Sequence, residues 1–125
     1  MSRMPRFVLL EHTDAPDDPA GRHYDLLLEA GAACRTWRLA DLPVPDGPAV
    51  PAAELPPHRP AWLDHVAGPV SGGRGFARRI DGGECLLGGT SPAVELVVAG
   101  RVLDGRLALA PTATGWELRL ASGRV

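Results

Sequence analysis

Apolar and polar residues alternate with a period of two in short runs along this chain, and turn-forming residues separate the runs. The pattern predicts strands over residues 6–11, 23–29, 34–39, 61–66, 76–80, 84–87, 94–99, 101–109 and 116–120. Turn signals stand between neighbouring runs at Asp81-Gly82-Gly83, Gly88-Gly89 and Asp104-Gly105. Thirteen prolines and fifteen glycines are spread along the sequence and leave little room for long helices. Two stretches break the alternation. Residues 13–21 read as an acidic, solvated loop with two prolines. Residues 43–60 hold seven prolines and are expected to cross the surface in extended or polyproline form, with one helical turn at 52–55. The expected fold is all-β (mainly β): a small closed barrel of about eight short strands with one long Pro-rich crossover loop.

Composition narrows the picture. At 125 residues, 45% hydrophobic and 22% charged, the chain suits one globular domain, 1–125, and neither two domains nor disorder. Its apolar runs are too short to cross a bilayer, and no signal-peptide core follows Met1, so no membrane partner and a cytoplasmic location are expected. Cys34 and Cys85 lie in separate strand segments without metal-type spacing and read as buried, reduced core residues. A net charge of −2 argues against a broad grip on duplex DNA and leaves room for a local contact at an end or a single phosphate. All thirteen basic residues are arginine, which excludes chemistry through a lysine amine, including a lysine–AMP ligase intermediate.

The segment Arg22-His23-Tyr24-Asp25-Leu26-Leu27-Leu28-Glu29 carries the chemistry. On a strand, His23, Asp25, Leu27 and Glu29 share one face, and Tyr24, Leu26 and Leu28 face the core. His12, at the end of the preceding strand, completes a three-ligand set if the two strands pair. Two imidazoles and a carboxylate suit Mn²⁺, Zn²⁺ or Fe²⁺ and leave positions open for water and a substrate oxygen. From spacing alone, a surface hydrogen-bonded pair is an equally open reading of His23 and Asp25. Trp37 and Trp116 read as core, and His65 as a hydrogen-bonded histidine.

Several motifs occur together in order: Phe7 through His12, His23-Tyr24-Asp25 through Glu29, Thr36-Trp37-Arg38-Leu39, His58-Arg59-Pro60-Ala61-Trp62-Leu63-Asp64, and Gly68-Pro69-Val70-Ser71-Gly72-Gly73-Arg74-Gly75. In this order the chain resembles, from about residue 6 to about residue 120, the 3'-phosphoesterase module of bacterial DNA ligase D, and most of all its short stand-alone relatives. The resemblance implies a small β-barrel enzyme of DNA repair that trims a 3'-phosphate or a terminal ribonucleotide from DNA or RNA–DNA 3' ends. It implies Mn²⁺, or a similar cation such as Zn²⁺, held by His12, His23 and Asp25. A separate ligase or end-joining machinery is the implied partner. The family's phosphate-facing histidine and tyrosine match His58 and Trp62. The chain departs from the family at Leu27, where the family has an arginine, in a lysine and an arginine lost between the Trp37 and His58 regions, and in the longer separation, eleven positions, from His12 to His23. Arg74, in a glycine turn able to form an anion nest, is a candidate replacement cation, as are Arg59 and Arg22. Two other readings stay open: a non-catalytic module that binds nucleic-acid ends or a partner, and an enzyme for small phosphorylated metabolites.

Overall fold

The computed structural model describes residues 3–123; Met1 and Ser2, part of the stretch read for a signal peptide, lie outside them. Nine strands run in chain order: β1 Arg6–Thr13, β2 Arg22–Ala30, β3 Ala33–Leu39, β4 Val50–His58, β5 Ala67–Pro69, β6 Phe76–Gly89, β7 Val94–Ala99, β8 Asp104–Pro111 and β9 Trp116–Ala121. A 3₁₀ turn, Pro60–Asp64, joins β4 to β5. The strands pair in the order β1-β2-β3-β4-β9-β8-β7-β6-β5, and β1 also pairs with β6. Eight antiparallel strands therefore close into a barrel, with β5 added beside β6. The all-β closed barrel expected from the alternating pattern is the fold observed. Among the described residues, no helix is long and apolar enough to cross a membrane.

Period-two alternation sorts the side chains of β1 and β2 into two apolar clusters. Phe7, Leu9, Tyr24, Leu26 and Leu28 point into the barrel, where they meet Trp37, Leu107 and Leu118. Val8, Leu10 and Leu27 point outward and pack with Cys34 and Leu63, with Trp62 against them. This second cluster explains why β2 is apolar on both faces: the 3₁₀ turn covers the barrel wall there. Both cysteines are buried and free. Trp37 is fully buried, and Trp116 packs edge-on against it at 5.6 Å.

Four local expectations are corrected. Residues 43–60 are not simply a surface crossover, because 50–58 form β4, and 52–55 are strand and not a helical turn. Prolines are tolerated there because β4 pairs with β9 only through Val50, Pro51 and Ala52. Pro56 and Pro57 sit beyond that pairing, opposite a register shift in β3, so their missing N–H groups break no regular ladder. Residues 61–66 are not a strand. Pro60 starts the 3₁₀ turn, Leu63 is buried, and Val66 is exposed.

The runs 76–80 and 84–87 are one strand, β6, which passes through Asp81-Gly82-Gly83 without turning back and pairs with β1 along its first half and β7 along its second. Finally, β8 begins at Asp104, not at residue 101. The backbone N–H groups of Arg101, Val102 and Leu103 instead donate to the buried Asp81 carboxylate at 2.7–3.0 Å. A Cβ at Gly100 would lie 2.3 Å from Asp81 Oδ2, so glycine is required for that loop to close on the carboxylate.

Candidate metal centre

The β1–β2 register places His12 directly opposite His23, with the acidic loop as the hairpin connection that absorbs the eleven-residue separation. The two imidazoles stack at 4.9 Å with an interplanar angle of 11°. Asp25 follows two positions along β2 on the same outward face. One ligand atom from each of His12, His23 and Asp25 lies within 4.8 Å of the others, and all three residues are buried. The pairing expected for these residues is the one observed.

Two polar atoms of this group lack hydrogen-bond partners. His23 Nε2 and Asp25 Oδ2 are buried without a hydrogen bond. Asp25 Oδ2 lies 3.2 Å from His12 Nε2, and Asp25 Oδ1 lies 3.9 Å from His23 Nε2. Leaving such groups unpaired costs about 1–3 kcal/mol each, and a cation between them removes that penalty. Two imidazole nitrogens and a carboxylate oxygen facing one point are thus a donor set able to hold a metal ion. Burial by itself raises the pKa of the Asp25 carboxyl. The neighbouring His12 imidazole and Arg38 guanidinium outweigh that effect and hold it below the ordinary carboxylate range.

The acidic loop, read from sequence as solvated, contributes to the site. Asp18 Oδ2 accepts a hydrogen bond from His23 Nδ1 at 2.7 Å, and this bond lowers the pKa of the Asp18 carboxyl. An ionised acceptor there puts the imidazole proton on Nδ1 and turns the Nε2 lone pair toward Asp25. Its only sequence signal was an aspartate in the loop between two histidine-bearing strands. Arg38 was missed as a site residue for a similar reason: it becomes a neighbour of Asp25 only through the β2–β3 register.

A cavity of about 300 Å³ opens beside the triad, lined by His12, Asp17, His23, Asp25, Arg38, His58, Trp62, Val70 and Arg74 among others. His58 ends β4, and its Nδ1 donates to the Pro56 carbonyl at 3.1 Å, which leaves Nε2 available. Trp62, carried by the 3₁₀ turn, lies edge-on to His58 at 6.4 Å. Arg74 reaches the cavity but spends Nε and Nη2 on Ser71 of its own turn. That turn packs against the end of β1: Gly75 has φ +88, and a Cβ there would lie 2.3 Å from the Thr13 carbonyl oxygen.

Two expected contributors lie outside this cavity. Arg22 faces Glu11 at 3.9 Å and sits over the Tyr24 ring. Arg59 lines a separate cavity that Trp62 also borders. Leu27 is fully buried in the outer apolar cluster. His65 Nε2 is hydrogen-bonded to the Ala77 carbonyl at 2.9 Å.

Comparison with models of known protein families finds none that matches the chain. Comparison with curated proteins likewise finds no match.

Proposed function

We propose that this chain is a divalent-metal-dependent phosphoesterase acting on DNA 3' ends, with Mn²⁺ as its cation and Zn²⁺ as the alternative. The observation that carries the metal half is the buried triad whose His23 Nε2 and Asp25 Oδ2 have no hydrogen-bond partner. His12, His23 and Asp25 hold the cation, and three protein ligands leave positions open for water and substrate. When bound, the cation supplies Lewis-acid polarisation of a phosphoryl oxygen and acidification of water. Asp18 keeps His23 in the ligating tautomer. In its protonated form His58, with Nδ1–H tied to Pro56, directs Nε2–H at a phosphate oxygen or gives that proton to the leaving oxygen. Trp62 walls the cavity and offers one N–H donor. The DNA-end half rests on the ordered motifs that resemble the phosphoesterase module of DNA ligase D, and with it the expected partnership with a separate ligase.

The test combines elemental analysis of the chelator-free protein with a Mn²⁺- or Zn²⁺-dependent assay on a primer-template bearing a 3'-phosphate. Bound metal and released phosphate are the expected result, and His23→Ala should lose both. Undiminished turnover in that variant would sink the mechanism.

A buried Leu27, where the likeness has a guanidinium, favours a second reading: a catalytically impaired module that binds nucleic-acid ends or a partner. That reading predicts stoichiometric metal without phosphate release, and end binding that survives His58→Ala.

A further inference from the structure

One cation stands on the triad itself. Arg38 of β3 is the register partner of Asp25, and its Nε donates to Asp25 Oδ1 at 3.2 Å. A guanidinium carries five N–H donors, and this bond uses one. Among the described residues Nη1 and Nη2 have no hydrogen-bond partner, Asp18 is the guanidinium's other electrostatic neighbour, and the side chain, which lines the cavity, is 40% exposed. The cavity's other arginine differs, because Arg74 has already committed Nε and Nη2 to Ser71. Leu27, on the same face of β2 as Asp25, offers no charge at all.

We propose that Arg38 is the anion clamp of this site and that it selects a terminal phosphomonoester over a phosphodiester. The inference rests on the metal-dependent reading above and narrows its two possible substrates to the 3'-phosphate. Nε remains on Asp25, which fixes the plane of the guanidinium, and Nη1 and Nη2 present two parallel donors. A terminal phosphoryl group has three non-bridging oxygens, enough for two on the fork and one at the triad. A diester has two, so the fork and the triad compete for them. The monoester also carries the larger negative charge at neutral pH, which a guanidinium beside a cation centre favours.

Binding of inorganic phosphate and of dimethyl phosphate to the Mn²⁺-saturated protein, measured by calorimetry, tests this without any turnover. The wild type should bind phosphate and prefer it over dimethyl phosphate. Arg38→Gln keeps a side-chain N–H for Asp25 but loses the charged fork, and it should weaken phosphate binding about ten- to a hundredfold while moving dimethyl phosphate little. Arg38→Lys restores the charge without the fork and should fall between the two. Phosphate binding by Mn²⁺-saturated Arg38→Gln equal to that of the wild type would overturn the clamp. So would equal losses for both probes, or a wild type that takes up Mn²⁺ and binds no phosphate. A wild type that takes up no Mn²⁺ would overturn the metal reading and the clamp together.

Discussion

Asp18 decides which nitrogen of His23 faces the triad, so its effect should appear in metal affinity before it appears anywhere else. Asp18→Ala leaves Nδ1 without its 2.7 Å acceptor and frees the ring to change tautomer or rotate. We expect Mn²⁺ affinity to fall about 10–100-fold, as for other carboxylates that orient ligating histidines, with little change in melting temperature of the metal-free protein. A Mn²⁺ titration followed by electron paramagnetic resonance reads this directly, and an unchanged affinity would remove Asp18 from the site.

A second residue-level expectation concerns Cys85, a residue 1% exposed, whose thiol pKa is raised from 9.0 to about 11 by burial, with a smaller effect from Glu29. The folded protein favours the neutral thiol, so this contribution to stability is fully present below pH 9 and is lost as the pH rises toward 11. Iodoacetamide, which reacts with the thiolate, should leave Cys85 unmodified at pH 8 in the native protein and modify it readily in urea. Rapid native labelling at pH 8, read by mass spectrometry, would contradict the burial. At this scale the sequence made His12, His23 and Asp25 legible, because period two and hairpin pairing are local rules. Asp18 and Arg38 were not legible, since one depends on how a loop folds back and the other on the register of a third strand.

The 3₁₀ turn is the element that converts a barrel wall into a cavity. Its Leu63 is 2% exposed and packs on Val8, Leu10, Leu27 and Cys34, and it anchors the neighbouring Trp62 at the cavity edge. Arg79 Nη1 also donates to the Leu63 carbonyl at 3.3 Å, and Arg6 pairs with Asp64 at 3.0 Å. An exposed ion pair such as Arg6–Asp64 contributes little, and the burial of Leu63 is the larger fastening. Leu63→Ala should cost about 2–4 kcal/mol in urea denaturation. On the proposed metal-dependent reading, the same variant should bind Mn²⁺ nearly as the wild type does, because the proposed ligands sit on β1 and β2, yet release phosphate more slowly because Trp62 is displaced. If Mn²⁺ binding and turnover fell together, the turn would be part of the metal centre and not merely its cover. This element was misread as a strand because its apolar residues look like half an alternation, whereas only Leu63 is buried. In β4 the reverse occurred: prolines hid a strand whose β9-facing side is largely unpaired. Asp81-Gly82-Gly83 has turn composition, but its carboxylate is committed to the loop at 101–103, and the chain runs straight on.

At the scale of the whole molecule, closure of the sheet decides how metal and fold are coupled. A closed barrel has paired every strand around its circumference, and the β1–β2 hairpin is held on one side by β3 and on the other by β6. The three candidate ligand atoms lie within 4.8 Å of one another on strands that this pairing and two apolar clusters hold in place. The all-β class was legible for the same reason: a repeated period of two specifies strands, and closure protects their edges. In a chain whose fold depends on metal, chelation unfolds the protein. Here the expected coupling is mass action alone, in which a ligand that binds only the folded state adds stability in proportion to the logarithm of its concentration. Chelation should therefore leave the far-ultraviolet circular dichroism spectrum unchanged at 25 °C. Raising free Mn²⁺ to 100 times its Kd should add about 2.7 kcal/mol of stability and raise the melting temperature by several degrees. His23→Ala should fold but show no such rise. Loss of the β spectrum on chelation would instead mean that the ion assembles the hairpin, and that the geometry of the triad is a consequence of binding and not its cause.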